Sequence, residues 1–255
     1  MKIISISNIK GGVAKTTTAA TLAAGLRKRK KNVLMIDSDP QMNLTMCFID
    51  EPEDDELSLY DLYKGTSGIA EIGVELEDGH DLIPGSFELC SADLEFFKKP
   101  GSLKILQKAV KPLEKYYDYV IIDTPPNLGF LSLNAFMCSD YIVTPMSADS
   151  FSLRAVRLLK RTLDEVAEDA EKEIPVVGIL LTRYSDRTNV SKLLEDSIQT
   201  AAKLLDTKVF KSRIRQATVV KESQVVKRDL FSYAPKAPVT KDYNDFINEL
   251  LRRIK

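Results

Sequence analysis

The sequence predicts an α/β fold: an open, mostly parallel, twisted sheet flanked by helices on both faces. Three observations carry that expectation. Short β-branched runs alternate with longer helical stretches along the 255 residues, the βαβα order of a doubly covered sheet. The runs are nearly continuously apolar, as parallel strands buried on both faces are. The first run opens directly into Lys10-Gly-Gly-Val-Ala-Lys-Thr-Thr-Thr18, a glycine turn followed by Lys-Thr between a strand and a helix.

In chain order, Ile3–Ser7 reads as the first strand and Thr17–Lys30 as the first helix. The basic run Arg27–Lys31 at its end complements the helix dipole. Val33–Asp37 is the second strand, and Pro40 ends any continuation. Glu51–Asp61 is acidic and turn-rich, a surface excursion. Ser102–Tyr116, Leu128–Cys138, Ser152–Glu171 and Val190–Leu205 carry helical periodicity. Tyr119–Asp123, Tyr141–Pro145 and Val176–Thr182 read as the intervening strands. Asp229–Val239, with Tyr233-Ala-Pro-Lys-Ala-Pro238, is extended or looped, with a short strand at Phe231–Tyr233. Asp242–Ile254 closes as an amphipathic helix, with Tyr243, Phe246, Ile247, Leu250, Leu251 and Ile254 on one side. With no repeat, low-complexity stretch or linker, residues 1–255 are expected to form a single domain.

Charge narrows the function. The 36 basic and 37 acidic residues leave a net charge of −1, which excludes a globally basic nucleic-acid binder but not a local basic face. Such a face exists between Asp206 and Arg228. There Lys208, Lys211, Arg213, Arg215, Lys221, Lys227 and Arg228 are opposed only by Asp206 and Glu222. Two readings stand, a solvated surface or a strip that neutralises DNA phosphates without reading sequence. Cys47, Cys90 and Cys138 lack metal-ligand spacing and read as buried small apolar residues in a reducing compartment. His80 lies away from every motif and reads as a surface or turn residue. No secretory signal is present, and no apolar run approaches the ~20 residues that span a bilayer. The expectation is a soluble cytoplasmic protein with no membrane partner.

The loop itself is built for phosphate. The backbone N–H groups of Gly11, Gly12, Val13, Ala14, Lys15, Thr16 and Thr17 and the helix N-terminus face the anion. Lys15 reaches the outer phosphates and Thr16 ligates Mg²⁺. Lys10 is a second lysine, free to act elsewhere, such as on a neighbouring subunit. Val33–Asp37 and Tyr119–Asp123 both end in aspartate. Alone, each aspartate reads first as a turn or helix cap. Beside a phosphate loop, Asp123 becomes a ligand of the metal or its water, Asp39 the residue that orients the attacking water, and Asp37 the support of the metal site.

These segments, Lys10-Gly-Gly-Val-Ala-Lys-Thr16, Asp37-Ser-Asp-Pro-Gln41 and Val120-Ile-Ile-Asp-Thr-Pro-Pro126, resemble the ParA-type partition ATPases in their Soj-like short form. Leu82-Ile-Pro-Gly85 and Tyr233-Ala-Pro-Lys236 extend the resemblance over the whole chain. It implies a P-loop NTPase of the deviant Walker A type shared with MinD, and ATP and Mg²⁺ as ligands. In the ATP-sandwich dimer so implied, Lys10 reaches the partner's nucleotide. Lys15 and Thr16 hold phosphate and metal, Asp39 activates water and Asp123 is the Walker B carboxylate. The resemblance further implies slow hydrolysis, stimulation by a ParB-type centromere-binding protein, and non-specific DNA binding by the basic segment. Arg215 is alternatively a nucleotide contact. A cytoplasmic protein, nucleoid-associated when ATP-bound, follows. The family's long form carries an N-terminal helix-turn-helix, which is not expected here.

One departure stands out: Ala14 occupies a position where the family usually has glycine. With helical angles the methyl costs little. With positive φ, weaker nucleotide binding or slower hydrolysis follows. Two rivals share the loop: a MinD-like membrane-cycling ATPase, whose C-terminal helix enters lipid, and an ATP-dependent DNA-binding scaffold with negligible hydrolysis. Asp242, Asp245 and Glu249 interrupt the polar face of the last helix, which favours packing on the sheet over lipid. A tyrosine kinase of this loop type needs a tyrosine-rich tail, and a nitrogenase-iron-protein type needs paired cysteines.

Overall fold

The computed structural model describes residues 1–53, 56–76, 79–147, 152–184 and 192–254. Its elements are β1 (Lys2–Ile6), α1 (Lys15–Arg27), β2 (Val33–Asp37), α2 (Leu59–Lys64), β3 (Val74–Glu75), β4 (Asp81–Ile83), α3 (Ala92–Phe96), α4 (Ile105–Val110), β5 (Tyr119–Asp123) and α5 (Phe130–Cys138). There follow β6 (Tyr141–Ser147), α6 (Leu153–Ala170), β7 (Val176–Tyr184), α7 (Lys192–Leu204), β8 (Val209–Arg215), α8 (Thr218–Val225), α9 (Leu230–Tyr233) and α10 (Pro238–Arg253).

The strands form one sheet in the order β3-β4-β2-β5-β1-β6-β7-β8. Every neighbouring pair is parallel except the β3–β4 hairpin. Alternation along the buried strands divides the core. Ile4, Ile6, Met35 and Ile121 face the layer that holds α1 and α10, while Ile3, Leu34, Ile36, Val120 and Ile122 face the layer that holds α2 to α5. A third cluster packs α6 and α7 on β6 and β7 through Leu159, Leu163, Ile179 and Ala201. The register sets Ile6 against Asp123, and Asp123 against Asp37, at the carboxyl ends of three adjacent strands. Ligands bind at that edge of an open parallel sheet.

The last helix belongs to the core. Tyr243, Phe246, Ile247 and Leu250 are fully buried. Two of the acids that break its polar face are consumed at the free edge of β8. Glu249 accepts from the Lys211 and Ser212 N–H groups, the Ser212 hydroxyl and Arg253. Asp242 accepts from the Arg215 N–H and both sides of its guanidinium at 2.7 and 2.9 Å. An edge strand needs its N–H row covered, and α10 covers it. Gly25 lets α1 approach: an added Cβ would run into Ile247 and Phe231.

Several local expectations are corrected. The helix expected over Ser102–Tyr116 is broken into 3₁₀ turns at Ser102–Lys104 and Lys111–Lys115 flanking α4. Pro112, which lacks an N–H, lies in the second turn. The first helix starts earlier than expected, at Lys15, and stops at Arg27, with Lys30 left-handed at φ 60°. Leu128–Cys138 is helical only from Phe130, whose N–H donates to Asp93. Phe231–Tyr233 is not a strand but part of helical α9, capped by Asp229 through the N–H groups of Phe231 and Ser232. The final helix begins at Pro238, four residues before Asp242, because proline is tolerated in a first helical turn. The acidic excursion ends in a helix rather than a turn. Ser58 and Asp61 form a capping box that starts α2, and Leu59 and Leu62 are buried. Residues 54 and 55 of that excursion, and the expected helix start at Val190, lie outside the described residues. The β3, β4 and β8 strands are additions: two are two or three residues long, and β8 alternates charged with apolar residues. His80 sits in a turn as expected but is 2 % exposed, with its ring 6.2 Å from that of Phe48. Cys47 and Cys138 are buried, and Cys90 is exposed.

Candidate nucleotide site

The loop from Asn8 to Ala14 leaves β1 at the carboxyl edge and turns into α1. Its backbone is tied down from several sides. The Arg183 guanidinium donates to the Gly12 carbonyl at 2.9 Å. The Thr182 hydroxyl lies 3.0 Å from the Val13 carbonyl and 3.3 Å from that of Met146. The Thr18 hydroxyl and N–H both reach the Ala14 carbonyl. Gly12 has φ 75°, and Ala14 has φ 62° and ψ 37°. The positive φ decides the branch left open by the sequence: the alanine at position 14 holds a left-handed conformation that a Cβ disfavours.

Below the loop lies a cluster of charge. The Thr16 hydroxyl donates to Asp123 Oδ2 at 2.6 Å. Asp123 Oδ1 is buried without a hydrogen-bond partner among the described residues. A threonine hydroxyl and an open carboxylate oxygen side by side form a hard-oxygen donor set that suits Mg²⁺ with its waters. Asp37 is differently employed. Its Oδ1 accepts from the Asp39 N–H at 3.1 Å, and its Oδ2 accepts from the Thr45 N–H and hydroxyl, both at 2.8 Å. It therefore shapes the turn that carries Asp39 rather than facing Thr16. Burial raises the Asp37 carboxyl to about 6 against those hydrogen bonds. Burial, then the Asp37 charge, pushes Asp123 well above the carboxylate range, with Thr16 and Lys15 pulling it back. With its three donors Asp37 holds its anion better than Asp123, which is the more strongly raised of the two. Burial lowers the Lys15 ammonium, and the charges of Asp123 and Asp39 oppose the shift.

A cavity of about 800 Å³ opens above this cluster. Gly11, Gly12, Ala14, Lys15, Thr16, Thr17, Asp39 and Arg215 line it. Lys10 and Val13 do not. Val13 is buried, and Lys10 is exposed with no side-chain partner among the described residues. Of the basic segment, Arg215 and Lys221 line the cavity. Lys208, Lys211, Arg213 and Arg228 are exposed around β8 and α8, with Arg213 over the Tyr184 ring at 5.0 Å. Lys227 is half-buried and paired with Asp50. The basic strip thus adjoins the cavity through α8, whose Gln224 donates to the Thr17 hydroxyl at 3.3 Å.

Thr182, Arg183 and Gln224 are site residues that sequence reasoning missed. Thr182 and Arg183 lie near the end of β7, so the strand-end rule that found Asp123 also points to them. Gln224 sits in a segment whose legible signal was charge alone, and only folding brings it to Thr17.

Comparison with known proteins finds relatives of the whole chain. The AAA domain family matches residues 1–176. The sporulation initiation inhibitor protein Soj of Bacillus subtilis is 32% identical over 98% of this chain and 98% of its own. A structure of cobyrinic acid a,c-diamide synthase from Mycobacterium smegmatis with bound ATP analog and magnesium superposes with a TM-score of 0.87 at 27% identity, covering 100% of this chain and 96% of that one. A putative plasmid partition protein from Borrelia burgdorferi bound to AMPPNP gives 0.79 at 26% identity, covering 100% and 99%. Among the described residues no helix is long and apolar enough to cross a membrane.

Proposed function

Because the chain belongs to the Soj/ParA family of P-loop ATPases, we propose that it is an ATP-dependent partition ATPase whose dimer is assembled by Mg-ATP and binds DNA without sequence preference. The observation that carries this reading is the division of labour between two lysines of one loop. Lys15 is buried in the cradle within the field of Asp123 and Asp39. Lys10 stands exposed outside the cavity that the same loop lines. An exposed ammonium beside a phosphate site, unpaired among the described residues, suits the nucleotide of a second copy.

In this reading ATP is hydrolysed to ADP and phosphate. The N–H groups of Gly11 to Thr17 and Lys15 hold the phosphates, pre-organised by the ties to Gly12, Val13 and Ala14. Thr16 and Asp123 would hold Mg²⁺, which supplies charge neutralisation at the phosphate oxygens. Asp39, fixed by its N–H to Asp37 and accepting from the Gln41 N–H at 3.0 Å, orients the attacking water. Arg215 contributes to the nucleotide cavity, and its bidentate pairing with Asp242 holds it there. Lys208, Lys211, Arg213, Lys221, Lys227 and Arg228 meet the DNA backbone. A ParB-type centromere-binding protein stimulates hydrolysis, which releases the dimer and the DNA. The protein is cytoplasmic and nucleoid-associated when ATP-bound. A membrane-cycling role is disfavoured, because the apolar side of α10 is committed to the core and its acids to β8. The left-handed Ala14 favours a second reading, an ATP-dependent DNA-binding scaffold with negligible hydrolysis.

Sedimentation with ADP and with ATP, each with and without DNA, tests the proposal. A dimer only with ATP, and DNA binding only by that dimer with a steep salt dependence, is the expected result. A monomer in every nucleotide state refutes it. DNA binding unchanged by Lys227→Ala/Arg228→Ala and by salt excludes the basic strip. Phosphate release that stays negligible with both DNA and a ParB-type partner selects the scaffold reading.

A further inference from the structure

We propose that Asn8 is a positioning residue for Lys10, setting the direction in which that lysine leaves the sheet toward a second subunit's nucleotide. The inference rests on the reading that Lys10 acts in trans.

The β1–β6 pairing sets Ile6 against Val143, and the Ser7 N–H still donates to the Val143 carbonyl at 3.0 Å. There the backbone ladder stops. Asn8, 9 % exposed, replaces it with its side chain. Nδ2 donates to the Pro145 carbonyl at 2.7 Å, two residues further along β6. Oδ1 accepts from the Lys10 N–H at 3.0 Å. One buried amide thus uses a donor and its acceptor to bridge the sheet and the loop. The second bond, from a side chain to the N–H two residues on, is an Asx turn, which fixes how the chain bends at Lys10.

The rest of the loop is held by other groups: Gly12 by Arg183, Val13 by Thr182 and Ala14 by Thr18. Those ties shape the cradle around Lys15. The Asn8 bridge instead acts at the loop's entrance, where Lys10 is the first exposed residue. A long lysine side chain has much rotamer freedom to lose, so its root must be placed well if the ammonium is to reach a phosphate on another subunit. Losing the bridge should therefore spare the Lys15 cradle and impair what Lys10 does. A bridge that served only general folding would weaken both together.

The test uses the full chain with AMPPNP and Mg²⁺. Nucleotide binding is measured at concentrations where the protein is monomeric, and self-association is measured by sedimentation velocity. Asn8→Ala should bind nucleotide within about threefold of wild type yet self-associate at least about tenfold more weakly, as misplacing a reacting group by a small distance does. Lys10→Ala should show the same split, and the double variant should be no weaker than Lys10→Ala alone, since two residues acting through one group are not additive. Should Asn8→Ala fail to fold, Asn8→Leu, which fills a similar space with neither donor nor acceptor, is read by the same rule. If Lys10→Ala weakens self-association and Asn8→Ala does not, or if the two effects add, the positioning role is overturned while the trans lysine stands. If Lys10→Ala itself leaves self-association intact, the trans reading falls and the inference with it.

Discussion

Replacing Ala14 by glycine should stabilise this protein, although the substitution removes only a methyl group. Ala14 holds φ 62° and ψ 37° at the N-cap of α1, where an L side chain crowds the following carbonyl at a cost of roughly 1–2 kcal/mol. Glycine escapes that cost but loses about 0.5–1 kcal/mol more backbone entropy on folding. The difference is a net gain of about 0.5–1 kcal/mol, or a rise of about 1–4 °C in Tm for a chain of this size. Gly12 supplies the mirror experiment. Its φ is 75°, and an added Cβ would meet only Arg183 Nη1, at an ordinary 3.7 Å. Gly12→Ala should therefore cost about 1 kcal/mol from conformation alone. Urea titration at fixed m resolves shifts of this size. If the strain persists whether or not nucleotide is bound, Ala14→Gly changes affinity by less than about threefold, because a ligand responds only to differences between states. An Ala14→Gly protein no more stable than wild type, together with a neutral Gly12→Ala, would refute the left-handed assignment. A tenfold gain in affinity would show that the alanine loop relaxes when empty.

Two further outcomes follow from the core and the buried acids. Gly25→Ala should destabilise by about 1–3 kcal/mol, because the methyl meets Ile247 and Phe231 and lifts α10 from α1. A neutral result in a denaturant melt would mean that α10 is a loosely held appendage. Without Mg²⁺ and nucleotide, the buried carboxyls Asp37 and Asp123 should oppose the usual acid sensitivity. Both have folded-state pKa values above the unfolded ones, so their contribution is fully present below the unfolded value and is lost as pH rises through the folded one. For Asp37, moving from 3.8 to about 6, this amounts to about 3 kcal/mol at most. Urea melts of the metal-free protein should show that Asp123→Asn makes the loss of stability with rising pH, above the unfolded carboxylate range, less steep. An unchanged slope would count against the shared burial of the pair.

The sequence alone determined the ingredients whose chemistry is local. An apolar run ending in Gly-Gly and Lys-Thr has few ways to fold other than strand, turn and helix. Val33–Asp37 and Tyr119–Asp123 are found where their alternation and their terminal aspartates place them. Buried central strands announce themselves because both faces must be apolar. The edge strand β8 did not, since Lys211, Arg213 and Arg215 alternate with Phe210 and Ile214 and its N–H row is satisfied by acids about 30 to 40 residues away. The break in the expected helix at Ser102–Tyr116 has a local cause in Pro112, whereas the burial of His80 is set by neighbours distant in the chain, Phe48 among them. Only the tertiary structure decided the hand of Ala14, the employment of Asp37 by Thr45, and the approach of Gln224 to Thr17. Only it separated the two lysines, sending Lys15 into the cradle and leaving Lys10 outside. The physical reason is the same in each case: identity and spacing fix what a residue can do, whereas backbone angles, burial and hydrogen-bond partners depend on what the rest of the chain brings to the carboxyl edge of the sheet.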